Sequence, residues 1–132
     1  MNFLTNEWYE AYIQAAKARF SKSGKLNLSF CEVYENCPDG STKWIKLEMQ
    51  NSQIVGSEFG SGEHPAADYV GSGKYSDHIL IAQGKIDPKK AVLAGTFKIS
   101  DNQGGTNAMR ILKLIEMYMR LVDAKKSLSV EY

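Results

Sequence analysis

Apolar side chains recur at every third or fourth position near the start of the chain, at Trp8, Tyr9, Tyr12, Ile13, Ala16 and Phe20. This spacing is that of one face of an α-helix, so the pattern predicts an amphipathic helix. Thr5 can cap its first turn, and Glu7 in that turn interacts favourably with the helix dipole. We expect this helix to end near Gly24.

The pattern then changes to a period of two, which is typical of β-strands with one buried face. Two segments, KLNLSF and KWIKLEM, carry this alternation through Leu26, Leu28, Phe30, Ile45, Leu47 and Met49. The sequence NCPDGS between them has turn composition, so the pair predicts a β-hairpin. QIVGSEF and ADYVGSGKY are weaker strand candidates, separated by the glycine-rich GSGEHP. Because these connections are short and contain no helix, we expect an antiparallel sheet.

Two short helices follow in the second half of the chain. Ser76 can cap the first, DHILIAQ, which Gly84 ends. In the second, Asp87 is a natural N-cap, Pro88 takes the first helical position, and Gly95 suits the left-handed residue after the last turn. We therefore expect Asp87, Pro88 and Gly95 mainly to fix the ends of a helix of about two turns.

A final strand, TFKI, and the segment SDNQGGTN lead into a long last helix, expected to start near Thr106 or Asn107. Its main apolar stripe comprises Ala108, Ile111, Leu112, Ile115, Tyr118, Met119 and Val122. Leu114, Met117 and Leu121 widen the apolar surface beyond the face of about 100° that packing on a sheet requires. Either a dimer contact or deeper burial explains this width, or one flank faces a cavity or lipid that flexible methionines can accommodate.

The length of 132 residues is that of one domain, spanning 1–132, and the formal net charge is +1. A nearly neutral chain has no overall field to attract nucleic acid or an anionic membrane, so we expect no nucleic-acid partner. The N-terminal residues lack the basic and apolar regions of a secretion signal, and no apolar run is long enough to span a bilayer. We expect a soluble, cytoplasmic protein.

Few side chains are candidates for chemistry. Cys31 and Cys37 are expected to be reduced thiols, and His64 and His78 lack metal-ligand spacing, which predicts no metal or cofactor. GSGEHP lacks the Lys-Ser/Thr ending of a phosphate loop, and no nucleophile motif is present. Asp68 and Tyr69 could act as base and oxyanion donor of an isomerase, but adjacent strand residues point to opposite faces.

The stretch GKIDPKKAVLAGTFKIS resembles the signature of the sterol carrier protein domain, also called the non-specific lipid-transfer domain. The matching positions are Gly84, Lys85, Ile86, Asp87, Pro88, Ala91, Val92, Leu93, Gly95, Phe97, Lys98 and Ile99. TKWIKLEMQN, PAADYVGSG and SDHILIAQ are similar to family segments upstream, so the resemblance covers about 42–122. Three departures are the longer SDNQGGTNAM, the glycine-rich strand, which is expected to widen the cavity or bulge, and Ala94 where glutamine is common.

The resemblance implies an α+β fold in which helices cover an antiparallel sheet of about five strands, with an apolar tunnel between the sheet and the last helix. Such a domain binds fatty acids, acyl-CoA, phospholipids or sterols without altering them, and contacts membranes transiently. The tunnel residues that we predict are Leu47, Met49, Ile79, Ile86, Val92, Leu93, Phe97, Met109, Leu112, Ile115 and Met119. No catalytic residue is predicted. An isomerase or hydrolase, or a protein-interaction module that associates through the last helix, remains the alternative.

Overall fold

The structure is a computed structural model, and it describes residues 1–20, 24–102 and 108–132. The elements are helix α1, strands β1 to β4, helices α2 and α3, strand β5 and helix α4. Their bounds are α1 Asn6–Arg19, β1 Leu28–Glu35, β2 Lys43–Gln50, β3 Gln53–Ser61, β4 Tyr69–Lys74, α2 Tyr75–Ala82, α3 Pro88–Leu93, β5 Lys98–Asp101 and α4 Ala108–Lys126. The structure confirms the α+β class, the hairpin of β1 and β2, and the two short helices between β4 and β5.

The five strands form one sheet in the order β3-β2-β1-β4-β5. Strands β1 and β4 are parallel, in register from Phe30 opposite Tyr69, whereas the other neighbours are antiparallel. The expectation of a purely antiparallel sheet was therefore wrong for this pair. The glycine-rich segment after β3 leads back across the sheet instead of closing a hairpin. Ser29 and Asp68 join the two strands, because Ser29 N–H donates to Asp68 Oδ2 and Asp68 N–H donates to Ser29 Oγ, both at 2.8 Å.

The sheet has one face toward the helices and one away from them. Alternation along β1 turns Phe30, Glu32 and Tyr34 toward the helices, while Cys31 and Val33 face the other way. The helix-facing side belongs to the main core, which also contains residues of all the helices. The opposite face carries a small cluster of Cys31, Val33, Ala67, Trp44 and Val70. Most of the hydrophobic core therefore lies between the sheet and the helices.

The helix ends follow the predicted caps in part. Thr5 Oγ1 accepts from Trp8 N–H at 3.3 Å, and Asp87 Oδ2 accepts from Lys90 N–H at 3.0 Å. Helix α1 ends at Arg19, earlier than expected. Ser76 does not cap α2, because strand β4 continues directly into the helix; Lys74 is the N-cap, and its side chain makes no capping hydrogen bond.

Helix α4 is rotated relative to the predicted stripe. Its buried apolar positions are Leu114, Ile115, Met117, Tyr118, Leu121, Val122 and Ala124, whereas Met119 is partly exposed on the flank. The predicted stripe is wrong at Leu112 and Met119, which are exposed, because the buried face also includes Leu114, Met117, Leu121 and Lys125. The predicted start near Thr106 or Asn107 lies outside the described residues.

Candidate functional site

The predicted tunnel residues divide into an inner and an outer set. Leu47, Met49, Phe97 and Ile115 are buried, and Ile79, Ile86 and Val92 are partly buried and pack against the core. The outer set is exposed, with exposed fractions of 69% for Leu93, 78% for Met109, 58% for Leu112 and 37% for Met119. These four side chains do not lie between the sheet and α4, so the structure does not bring the predicted wall together. Contact with a ligand stays a prediction for both sets.

Aromatic rings fill the centre of the layer between the sheet and α4. The Phe97 ring stacks on Tyr118 with a centroid distance of 4.1 Å and an interplanar angle of 3°, and His78 approaches Phe97 edge-on at 5.5 Å. The glycines of β4 make room for these rings, since a Cβ at Gly71 would overlap Phe97 and Phe30. The glycine-rich strand therefore accommodates side chains, and the expectation that it widens a cavity is wrong at this position.

A groove lies where the end of α1, the start of β1 and the middle of α4 meet. Its volume is about 540 Å³, within the range of roughly 300–1,000 Å³ that small-molecule sites occupy. The residues that line it are Phe20, Gly24, Lys25, Leu26, Ser52, Lys113, Glu116, Met117 and Arg120. Phe20 and Met117 are buried and Leu26 is half-buried, which gives the groove an apolar floor.

Backbone hydrogen bonds hold one wall of the groove in place. Gly24 N–H donates to Asn51 O at 3.0 Å, and Ser52 N–H donates to Leu26 O at 2.9 Å. The Ser52 side chain accepts from Leu26 N–H at 3.0 Å. The chain entering β1 is thereby fixed to the β2–β3 turn, in which Asn51 and Ser52 both have positive φ.

The rim of the groove is mainly basic. Lys25, Lys113 and Arg120 contribute three cations against the single carboxylate of Glu116. The Arg120 guanidinium lies 5.8 Å from the centre of the Phe20 ring, so it covers the floor as well as carrying charge. The ion pairs found within residues 1–20, 24–102 and 108–132 join Lys43 to Asp39, Lys46 to Glu48 and Lys125 to Glu32, and none includes a side chain of the groove rim. An apolar floor with a cationic rim matches an amphiphile that has an anionic head.

A second feature, which the sequence analysis missed, is a buried polar cluster between β1, α1 and α4. Lys125 Nζ donates to Glu32 Oε2 and the Tyr12 hydroxyl donates to Glu32 Oε1, while the Tyr34 hydroxyl donates to Oε2 at 3.2 Å. Lys125 Nζ also lies 5.1 Å and 5.2 Å from the ring centres of Tyr12 and Tyr34. The exposed fractions are 0% for Glu32 and 2% for Lys125.

Burial governs the titration of this cluster. It raises the pKa of Tyr12 and Tyr34 well above the usual value, and the Glu32 charge adds to the effect. His78 packs on Tyr34 with ring centres 3.9 Å apart, and its Nε2 lies 2.9 Å from Val33 O. Burial, assisted by the Lys125 charge, lowers the pKa of His78 to about 3. His78 is therefore neutral at pH 7 and donates from Nε2–H to the carbonyl.

The sequence carried a signal for this cluster. Glu32 stands at an inward position of β1, between Phe30 and Tyr34, where an apolar residue is expected. Lys125 stands seven residues after Tyr118 and so returns to the same face of α4. A carboxylate in a buried strand and a lysine on a buried helix face predict a pair, because isolated buried charges are very costly.

The other residues that the sequence offered for chemistry, Asp68, Cys31 and Cys37, lie in surroundings that give them structural contacts. Asp68 is exposed and its carboxylate accepts from the backbone of Ser29, so it does not face the core as a catalytic base would. Cys31 and Cys37 are free and buried. Within the part of the chain that the structure describes, no three His, Cys, Asp or Glu side chains group closely enough to hold a metal ion.

No protein-family model matches the chain, and no curated protein matches it. A crystal structure of sterol carrier protein 2 superposes with a TM-score of 0.78 at 18% identity, covering 97% of this chain and all of that one. The chain has the sterol carrier protein fold. The resemblance found at Gly84 to Ile99 is thus confirmed for the fold.

Two further structures share the sterol carrier protein fold over most of the chain. A conserved hypothetical protein from Thermus thermophilus has a TM-score of 0.71 at 16% identity, with 99% of this chain and 92% of that one covered. The palmitated form of sterol carrier protein 2 like 2 from Aedes aegypti has a TM-score of 0.55 at 17% identity, with 81% and 90% covered. The sterol carrier protein fold therefore extends over nearly the whole chain.

Proposed function

We propose that this protein binds and transfers lipids reversibly, without altering them, and that the groove between α1 and α4 is the entrance for the lipid. The observation that carries the proposal is the combination of the apolar floor of Phe20, Leu26 and Met117 with a basic rim, on a sterol carrier protein fold. Fatty acids, acyl-CoA, phospholipids and sterols are the expected classes. The basic rim favours those with an anionic head group.

Binding of this kind needs little polar chemistry. Each methylene that leaves water contributes about 0.8 kcal/mol, and a bilayer offers the same lipid a similar gain. A carrier therefore needs only to match the bilayer environment in order to exchange lipid with it. The groove has the two parts that this requires, an apolar floor that replaces the bilayer interior and cations that replace solvent around an anionic head.

Helix α4 also offers a surface for membrane contact, which we include in the proposal. Met109 lies one helical turn before Lys113 of the groove rim and Leu112 lies directly before it, and both apolar side chains are exposed. Exposed apolar side chains beside cations favour transient binding to an anionic bilayer surface. No helix in the described ranges is long and apolar enough to cross a membrane. The free thiols of Cys31 and Cys37 fit the proposed cytoplasmic location.

Displacement of a fluorescent fatty acid tests the proposal. The protein should bind the probe saturably, and reversing two rim charges in Lys25→Glu/Lys113→Glu should weaken binding about tenfold, since each exposed ion pair is worth up to ~1 kcal/mol. Lys126→Glu, an exposed charge reversal outside the groove lining, is the control and should bind normally. Absence of saturable binding of any fatty acid, acyl-CoA or sterol would refute the lipid-carrier function.

A protein-interaction module is the second candidate function. It is favoured by the exposed Met109, Leu112 and Met119 on α4, a surface that a second chain could cover. Analytical ultracentrifugation of the wild type and of Met109→Ser/Leu112→Ser decides between the candidates. A dimer that the double substitution dissociates, with no lipid bound in either form, would favour the interaction module.

A further inference from the structure

Helices α1 and α4 pack against each other along a line of contact, the seam, which begins at the groove. The buried pair of Glu32 and Lys125 lies further along this seam. Phe20, the residue directly after α1, and Met117 on α4 form the groove floor, and Tyr12 and Lys125 stand eight residues away from them along the chain. At 1.5 Å per residue, this separation is ~12 Å along each helix. The two helices run antiparallel, since Lys125 contacts Tyr12 and Arg120 contacts Phe20.

The seam between these two ends is apolar. Ile13 and Ala16 of α1, and Leu121 and Val122 of α4, are buried in the core that the two helices share with the sheet. These residues are not part of the groove lining, so an acyl chain that enters at Phe20 and Met117 has to separate the packed seam, where it contacts apolar side chains until it reaches the carboxylate of Glu32. There the surroundings change from hydrocarbon to a charged, hydrogen-bonded cluster.

Net stability is a weak explanation of this cluster. A buried ion pair loses so much hydration that replacing both partners with apolar residues is often neutral or stabilising. Removing one partner, or separating the two, is strongly destabilising because an unpaired charge stays buried. The pair therefore tolerates neither the loss of one member nor a methylene chain inserted between its members.

The hydroxyl of Tyr118 adds to the polar surface at this depth. Its ring is buried against Phe97, and among the described residues no hydrogen-bond partner reaches the hydroxyl oxygen. Burial and the nearby Glu32 charge both raise the pKa of Tyr118. A buried hydroxyl without a partner costs free energy that a methylene group cannot recover.

We propose that Glu32 and Lys125, with Tyr12, Tyr34 and Tyr118 around them, form the inner end of the lipid compartment and set the longest acyl chain that the protein accepts. This inference rests on the proposed lipid-binding function and adds the determinant of chain length. An apolar chain gains affinity with each methylene that enters the seam. The gain stops when the next methylene would have to displace the Glu32–Lys125 pair.

The test measures dissociation constants for saturated fatty acids from octanoate to stearate. For the wild type, we expect affinity to rise by up to about fourfold per methylene, the factor that ~0.8 kcal/mol corresponds to, and then to level off or fall within the series. In Glu32→Gln/Lys125→Met, where the glutamine can still accept from Tyr12 and Tyr34, the rise should continue to longer chains. A shift of this limit would support the proposal.

The matched control is Glu35→Gln/Lys126→Met, which makes the same substitutions at exposed neighbours and should keep the wild-type limit. If wild-type affinity rises without a break to stearate, or the limit is the same in both double variants, the inference is wrong while lipid binding stands. The wild-type series shows whether a limit on chain length exists, even if Glu32→Gln/Lys125→Met fails to fold. If no member of the series binds to the wild type, the proposed function fails, and the inference with it.

Discussion

The Phe97 ring lies directly over the backbone of Gly71, in the space that a side chain at this strand position would occupy. A Cβ built on Gly71 overlaps the tip of Phe97 and would stand 2.7 Å from Cζ of Phe30. The same Phe97 ring stacks on Tyr118 of α4. Gly71 therefore leaves the space in which the Phe97 ring packs between β4 and Tyr118 of α4.

Gly71→Ala should destabilise the protein by about 1–3 kcal/mol, because the added methyl forces two buried rings out of their positions. Thermal unfolding followed by circular dichroism measures the effect. Gly56→Ala is the matched control, since its Cβ would stand 3.6 Å from Glu48 Cβ, which is an ordinary contact, and its φ is not positive. Equal melting temperatures for the two variants would contradict the packing described here.

Gly95→Val should lower the free energy of unfolding by more than ~1 kcal/mol, because Gly95 has φ +77°, where a β-branched residue is strongly disfavoured. Nothing lies within 4 Å of a Cβ placed there, so the effect isolates backbone strain from crowding. Gly95→Asn should cost less, since asparagine tolerates this conformation. Urea denaturation of both variants checks the order, and a valine variant as stable as the asparagine variant would disprove the strain.

Stability should fall as the pH drops below the ordinary histidine range, through His78. Its folded pKa of about 3 is below the unfolded value of ~6.5, so between these values the unfolded chain binds the extra proton. The contribution is complete above pH ~6.5 and is lost toward pH 3, with a slope of up to ~1.4 kcal/mol per pH unit. Urea denaturation from pH 7 to pH 4 measures this slope.

His78→Gln should be less stable at pH 7, because it loses the packing against Tyr34 and Phe97, but should show a smaller slope between pH 6.5 and 4. His64→Gln, which removes a histidine from the loop before β4, is the control and should keep the wild-type slope. An unchanged slope in His78→Gln would show that other groups cause the pH dependence.

Local signals in the sequence were sufficient for much of the fold. Thr5 and Asp87 predicted two N-caps that are present, and Gly95 has the positive φ that its position after α3 requires. These features depend on a few consecutive residues and on backbone geometry. The parallel pairing of β1 and β4 depends on contacts between distant segments, so the strand pattern alone did not reveal it.

The candidate site was less predictable, because charged residues that lie in a core look like surface residues in a sequence. Lys125 is not part of the predicted apolar stripe of α4, although it is buried on the same face as Tyr118 and Val122. Glu32 follows the predicted strand KLNLSF and is likewise absent from the predicted core. The burial of each residue is explained only by its partner, which stands 93 positions away in the chain.

The parallel pairing of β1 with β4 also has a consequence for the order of folding. Strands β1, β2 and β3 are joined by short turns and can pair early, whereas Ser29 and Asp68, which join β1 to β4, are 39 positions apart. Closing so long a loop costs chain entropy before its contacts form, which slows that step. We therefore expect the β1–β2–β3 meander to form before β4 and the following helices pack against it.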